Sequence, residues 1–187
     1  LKTQMDTFRV FMSFCERIDA VVEGLSESVD SPKIGKKEGT RDDIVPTEQA
    51  QQILDYFHQF HYASVKHTLF ELLWESGVRV GTVHTIDVGD IDLEDQFVSI
   101  EHSDKTPLKN RENGERPIAI SNSTADVIED YIQHNRIEQK EENGRRPLLT
   151  TANGRASKNC LRSYVYQMTR PCVYSGSCPV GEEPDKC

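Results

Sequence analysis

Apolar residues change period twice between residues 47 and 168, and only a mixed architecture accommodates both periods. From Thr47, a candidate N-cap followed by Glu48 in the first turn, Ala50, Ile53, Leu54, Phe57 and Phe60 recur at helical steps. A second helix is expected from about Ser64, with Val65, Leu69, Leu72 and Leu73 inward and Gly77 as its stop. Val80 to His84 fits a short third helix. The run Gln96–His102 then alternates apolar and polar residues with β-formers, and Pro117–Ile120 repeats the pattern. These two strands are expected to pair as a hairpin with a long tip from Ser103 to Glu115. Helical spacing returns after Ser123, which forms a capping-box pattern with Asp126, through Val127, Ile128, Tyr131 and Ile132. Gly144 and Pro147 close that region. Leu148-Leu149-Thr150 suits a short strand and Asn153-Gly154 a turn. A last helix from Ser157 carries Leu161, Tyr164, Val165 and Met168 and stops at Pro171. The predicted class is α+β, mainly helical, with one small antiparallel β-hairpin.

Ahead of this block, Phe8, Phe11, Met12, Cys15, Ile18 and Val22 form one stripe of an amphipathic helix over residues 3–22. Glu23-Gly24-Leu25-Ser26 ends it, and Ser31 to Asp43 mixes Pro, Gly, Lys and Asp without period. That stretch reads as a linker whose cluster Lys33, Lys36 and Lys37 is either a solvated tether or a strap along a polyanion. A lone amphipathic helix leaves its stripe uncovered, and the chain opens on Leu1 and closes on a loop-like tail, so it reads as a piece of a longer protein.

Charge and cysteine content narrow the function classes. A net charge of −9 argues against a wholly basic nucleic-acid binder, although a local basic groove survives inside such a sum. No run approaches the ~18 apolar residues of a membrane span, and the start carries no apolar signal segment, so a cytoplasmic protein with no membrane partner is expected. The five cysteines, an odd number without a secretion signal, do not read as a disulfide framework. Cys172, Cys178 and Cys187 fall close enough to hold a structural zinc, with Cys160 or a later residue as fourth ligand, or they are simply reduced thiols. His58, His61 and His67 raise a metal-enzyme alternative, but no HExxH pattern supports it.

The most specific segment is Leu72-Leu73-Trp74-Glu75-Ser76-Gly77-Val78-Arg79, leading to Val88-Gly89-Asp90-Ile91-Asp92. An Arg just past a glycine-stopped helix joins a guanidinium fork to the free donors of the next helix, a combination suited to phosphate. Taken alone, the same Arg suits a salt bridge to Asp90 or Asp92. The segment resembles the first active-site box of the tyrosine recombinases (phage integrases). In that family a β-hairpin bearing a lysine follows, then an Arg and a short apolar strand; here Lys109 precedes Arg116-Pro117-Ile118-Ala119-Ile120. The resemblance covers most of residues 3–170, and the acidity and linker wording are similar to integrases of halophilic archaea. It implies the N-terminal part of a recombinase catalytic domain over 47–187, a linker over 26–46, and over 1–25 the last helix of a helical, SAM-like core-binding domain.

What the resemblance implies chemically is a topoisomerase-IB-like strand transfer in which a tyrosine attacks a DNA phosphodiester, leaving a 3′-phosphotyrosyl link. Arg79 would be the first arginine, holding charge that builds on the non-bridging oxygens. Lys109 would protonate the departing 5′-hydroxyl; Lys105 competes for that role, and the position before the second strand favours Lys109. Lys33, Lys36, Lys37, Lys105 and Arg116 are candidate DNA contacts. The implied partners are double-stranded DNA and further copies of the chain, as a tetramer on DNA, and the chemistry needs no cofactor. Two features depart from the family. Thr82 stands where many members carry an acidic residue supporting the first arginine, and none of the six histidines has Arg three residues on. Tyr174 has no second box before it, so it is not assigned as nucleophile. The chain as given is therefore expected not to cleave DNA alone, and the alternative is a non-catalytic DNA-binding or regulatory remnant of a recombinase.

Overall fold

In a computed structural model that describes residues 2–32, 44–179 and 181, the chain divides into two units at Ile44/Val45. Lys33, Lys36, Lys37 and Cys187 lie outside the described residues. In the first unit α1 (Lys2–Arg17) ends earlier than residues 3–22 suggested, because Asp19 takes a positive φ of 54° and turns the chain. The segment behind it folds back: Ser26 N–H and Oγ donate to Glu16 at 2.6 and 2.9 Å, and Arg9 donates to Val29 O. Cys15 is buried, whereas Phe8, Phe11, Ile18 and Val22 are exposed.

The second unit is built around α3 (Val65–Ser76), which packs on α2 (Thr47–Phe60), on α4 (Val80–Val83), on α5 (Asn122–Asp130) and on α6 (Lys158–Met168). Every residue from His67 to Leu72 is buried, so this helix is covered nearly all round and shows little amphipathic contrast. Leu69 meets Ile53 from α2, Ile128 from α5 and Leu161 from α6 in one core, all with no exposed surface. Each such side chain contributes about 1.5–3 kcal/mol by leaving water. Ser64 caps α3 through His67 N–H, and Gly77 closes it in the left-handed region at φ 61°.

The sheet has three strands, one more than the sequence predicted. β1 (Ile91–Asp92) pairs with β2 (Phe97–Ile100), which pairs with β3 (Arg116–Ala119), all antiparallel. The register Val98↔Ile118 and Ile100↔Arg116 turns Val98 and Ile100 into the core at 1% exposure each. Two residues are too few for a period-2 signal, which is why β1 escapes the pattern. A second ribbon pairs β4 (Thr150–Thr151) with β5 (Gly154–Arg155), so the strand expected over Leu148–Thr150 starts two residues later and Gly154 leaves the expected turn for a strand of its own. After α6 comes the one-turn α7 (Pro171–Tyr174).

Several helix boundaries move. Pro46 precedes α2 and Thr47 is its first residue, with no side-chain cap. Phe60 closes α2 at 60% exposure and so stands outside the core that the helical spacing suggested for it. Ser121, not Ser123, caps α5, its Oγ accepting from Thr124 N–H at 3.2 Å, because the chain leaves β3 and enters the helix two residues early. Beyond Asp130 the helix widens into a π turn over Tyr131–Asn135. Pro171 starts α7 rather than merely stopping α6, which suits a first-turn position that needs no N–H. Among the described residues no helix is long and apolar enough to cross a membrane.

Candidate active site

Arg79 is placed by the end of α3. Gly77 reverses the backbone, Val78 is buried, and Ser76 Oγ, itself bonded to Leu72 O, accepts from Val78 N–H at 3.4 Å. Arg79 then serves as N-cap residue of α4, its carbonyl accepting from Thr82 and Val83 N–H at 2.7 and 3.2 Å. Its guanidinium is exposed, and among the described residues it has neither hydrogen bond nor ion pair. Asp90 and Asp92 do not hold it. A backbone fixed on both sides thus carries a cation with all five donors unused.

Lys109 arrives from the hairpin connection. Leu108 before it is buried, its N–H donates to His102 Nδ1 at 3.2 Å, and its carbonyl accepts from Arg111 N–H. Gly114 packs against Leu108, where a Cβ would meet Leu108 Cδ1 at 3.4 Å. Lys109 itself is exposed. Arg79, Thr82, Lys109 and Arg116 line one polar cleft of about 270 Å³. Arg116 opens β3 and donates to Gly114 O at 3.1 Å. Lys105 lies instead on a separate cleft of about 500 Å³ with Lys140 and Arg155.

Between the two segments lies an ion cluster that the sequence did not announce. Asp87 receives Arg155 Nη2 at 2.6 Å on Oδ1 and Arg145 Nε on Oδ2. Arg145 also donates to Thr106 Oγ1 at 2.8 Å and to Thr85 O at 3.0 Å. Arg155 reaches Glu141 at 2.7 Å and His84 O at 3.0 Å. Burial would lower the Arg155 pKa, but hydrogen bonds to Glu141 and Asp87 outweigh it and the net shift is upward. The Arg155 hydrogen bond holds the Glu141 carboxyl below its ordinary value. His84 donates from Nδ1 to Ala156 O, and burial pushes its pKa down. The signal that could have located the cluster was a pair of arginines on turn-rich segments following an Asp that lies between apolar neighbours.

The remaining candidate residues fall elsewhere. Cys172 lies in α7 and Cys178 just beyond it, both half-buried, and Cys160 engages Tyr164, whose hydroxyl this contact first, then burial, pushes up to about 12. Among the described residues no cysteine belongs to a cluster of three potential metal ligands. His61 pairs with Tyr56 Oη, while His58 and His67 both approach Glu71 Oε1 at 3.3 Å. His67 Nδ1 accepts the Ala63 N–H at 3.1 Å, which puts the ring proton on Nε2, toward Glu71. Metal-binding histidines donate from the second nitrogen, so this arrangement reads as a proton bridge to a buried carboxylate. Burial alone would raise the Glu71 carboxyl; His67, the Thr124 hydroxyl and His58 outweigh it and hold it below its ordinary value.

Comparison with known proteins points one way. A sequence model described as the phage integrase family matches residues 44–170. No curated protein matches the sequence. Among solved structures, the crystal structure of XerA recombinase superposes with a TM-score of 0.54 at 12% identity, covering 94% of this chain and 55% of that one. The Tn1549 transposon integrase in complex with transposon right-end DNA gives 0.51 at 11% identity, covering 81% and 50%. The chain thus spans about half the length of these structures, and the likeness is one of fold.

Proposed function

Because the chain belongs to the phage integrase family, we propose that it supplies half of a site that cuts and rejoins duplex DNA by way of a phosphotyrosyl link. The observation that carries this reading is the cleft in which Arg79 and Lys109 meet from separate segments. Arg79 binds the non-bridging oxygens of the scissile phosphate through two parallel N–H donors, supplying charge where the five-coordinate transition state needs it. Attack by a tyrosine oxygen, whose hydroxyl proton leaves to solvent, forms the new bond to phosphorus while the P–O5′ bond breaks. Its electron pair stays on O5′, and Lys109 Nζ gives that oxygen a proton, ending as a neutral amine. Arg116, which also lines the cleft, and Lys105 hold neighbouring phosphates, with Lys33, Lys36 and Lys37 along the linker.

Thr82 in the cleft brings no negative charge to Arg79, so the arginine relies on backbone placement alone and keeps its donors for substrate. The second arginine, the histidine and the nucleophile are not assigned among these residues, and the chain by itself does not complete the chemistry. Assembly as a tetramer on DNA belongs to the same reading. A structural zinc at Cys172, Cys178 and Cys187 is a separate reading of the cysteine spacing, against simple reduced thiols, and this chemistry does not need it.

The experiment is adduct trapping. The full-length gene product is mixed with nicked duplexes carrying its recombination site, then denatured and resolved by mass. A covalent adduct on the 3′ side supports the proposal. DNA binding without an adduct would favour the non-catalytic remnant, and affinity absent even at low salt would remove both. Binding should weaken as salt rises, by a log–log slope of about −0.9 for each phosphate neutralised.

A further inference from the structure

The cleft brings two cations together, yet Lys109 sits on the connection between β2 and β3, with no ion pair of its own among the described residues. Lysine carries a compact charge on a flexible stem, so the backbone beneath it has to fix where its nitrogen can reach. Leu108 anchors that backbone by burial. Two residues before Leu108 stands Thr106, 4% exposed, whose N–H donates to Ser103 O and whose hydroxyl accepts from Arg145.

Arg145 does more than fasten a loop. Its guanidinium is a rigid planar fork, and it spends its donors on three different places: Asp87, Thr85 O and Thr106 Oγ1. Thr85 and Asp87 belong to the segment that α4 delivers, and Arg79 is the N-cap residue of α4. Thr106 belongs to the segment that delivers Lys109. One side chain therefore bridges the carriers of both cations. Arg155 binds the second oxygen of Asp87, and Asp90 Oδ2 accepts the Asp87 N–H at 2.8 Å, so the anchor is itself held from two sides.

We propose that Arg145, acting through Thr106, is the positioning residue that sets Lys109 at proton-transfer distance from the leaving oxygen of a phosphate bound by Arg79. The inference rests on the assignment of Lys109 as proton donor, and it adds a requirement that the assignment does not carry. Neither Arg145 nor Thr106 lines the cleft that holds Arg79 and Lys109. The fork supplies what a single acidic residue at position 82 does not: a fixed spacing between the two halves of the cleft.

The test compares two substrates in the full-length gene product: a duplex with the ordinary phosphodiester, and one with sulfur in place of the bridging 5′ oxygen at the scissile position. A thiol ionises near pH 8.5 and leaves as thiolate without a proton, so the sulfur substrate bypasses the proton donor. Lys109→Ala is expected to slow cleavage of the oxygen substrate by about 10²- to 10⁴-fold and to cleave the sulfur substrate at the unmodified rate. Thr106→Val keeps the shape of the side chain and removes the acceptor. It is expected to lose about 10- to 100-fold on oxygen, as a misplaced donor does, and nothing on sulfur. Arg145→Lys should behave likewise, because an ammonium cannot span all three acceptors, and Thr106→Ser, which keeps the hydroxyl, should restore the oxygen rate.

Equal losses of Thr106→Val on both substrates, or no loss on either, would overturn the positioning role while leaving Lys109 untouched. A Lys109→Ala variant that sulfur does not rescue would instead overturn the proton-donor assignment beneath it. Thermal melts of each variant, read beside the rates, separate unfolding from displacement: an unfolded fraction lowers both substrates alike, and Thr106→Ser then decides between them.

Discussion

Replacing Asp87 by Ala should destabilise the second unit more than any surface change, and the structure sets the size of the effect. The carboxylate side chain is 12% exposed and meets Arg155, 8% exposed, and Arg145, 22% exposed. Removing one partner of a buried ion pair costs about 3–5 kcal/mol, because the charge left behind has lost its compensation. Arg155 retains Glu141, and Arg145 retains Thr106 and Thr85 O, which keeps the loss from doubling. At about 2–4 °C per kcal/mol for a chain of this size, the melting temperature should fall by about 6–20 °C. Set against a typical total of about 5–15 kcal/mol, the variant should be folded but marginal near physiological temperature. Urea unfolding followed by circular dichroism measures it, and a cycle with Arg145→Ala isolates the pair: the double variant should lose less than the two single losses added. An Asp87→Ala variant within about 1 kcal/mol of the unmodified chain would show that the ion cluster does not hold these segments together.

Two smaller effects follow from local geometry. Gly77→Ala places a side chain at φ 61° with no atom within 4 Å of the new Cβ, so the cost is conformational alone, about 1 kcal/mol, and Gly77→Asn should recover part of it in the same melts. Glu71 and Glu141 have lowered pKa values in the folded chain, so each contributes stability that is complete above its unfolded value near 4.5 and is lost as pH falls through the lower folded value. Unfolding free energy measured from pH 6 to pH 3 should therefore decline below about 4.5, and more shallowly in Glu71→Gln; an unchanged slope in that variant would contradict the His67–Glu71 bridge.

The helical order was legible because long periodic segments carry their own signal: α3, α6 and the stop at Gly77 stand where Leu69, Leu161 and the glycine put them. The hairpin was equally plain from two alternating runs. Boundaries were less so. The Ser123-x-x-Asp126 spacing imitates a cap, but Ser121 is where the backbone leaves the strand, and no local pattern carries that information. Arg79 was found through a motif of neighbouring residues. Asp87, Arg145 and Arg155 come from three distant segments, and their meeting depends on tertiary packing. The approach of His67 to Glu71 is tertiary in the same way, because nothing in their spacing says that α2 and α5 cover that face of α3.

The central claim is that Arg79 acts on a DNA phosphate. The measurement is adduct formation by Arg79→Ala in the full-length gene product, with duplex affinity determined in parallel. Loss of one positioned donor group from a transition-state site costs about 10²–10³-fold in rate, while the other phosphate contacts keep most of the affinity. The account predicts that the adduct disappears on the unmodified protein's timescale while binding changes only a few-fold. Adduct formation at a near-normal rate would contradict it and free Arg79 from the chemistry.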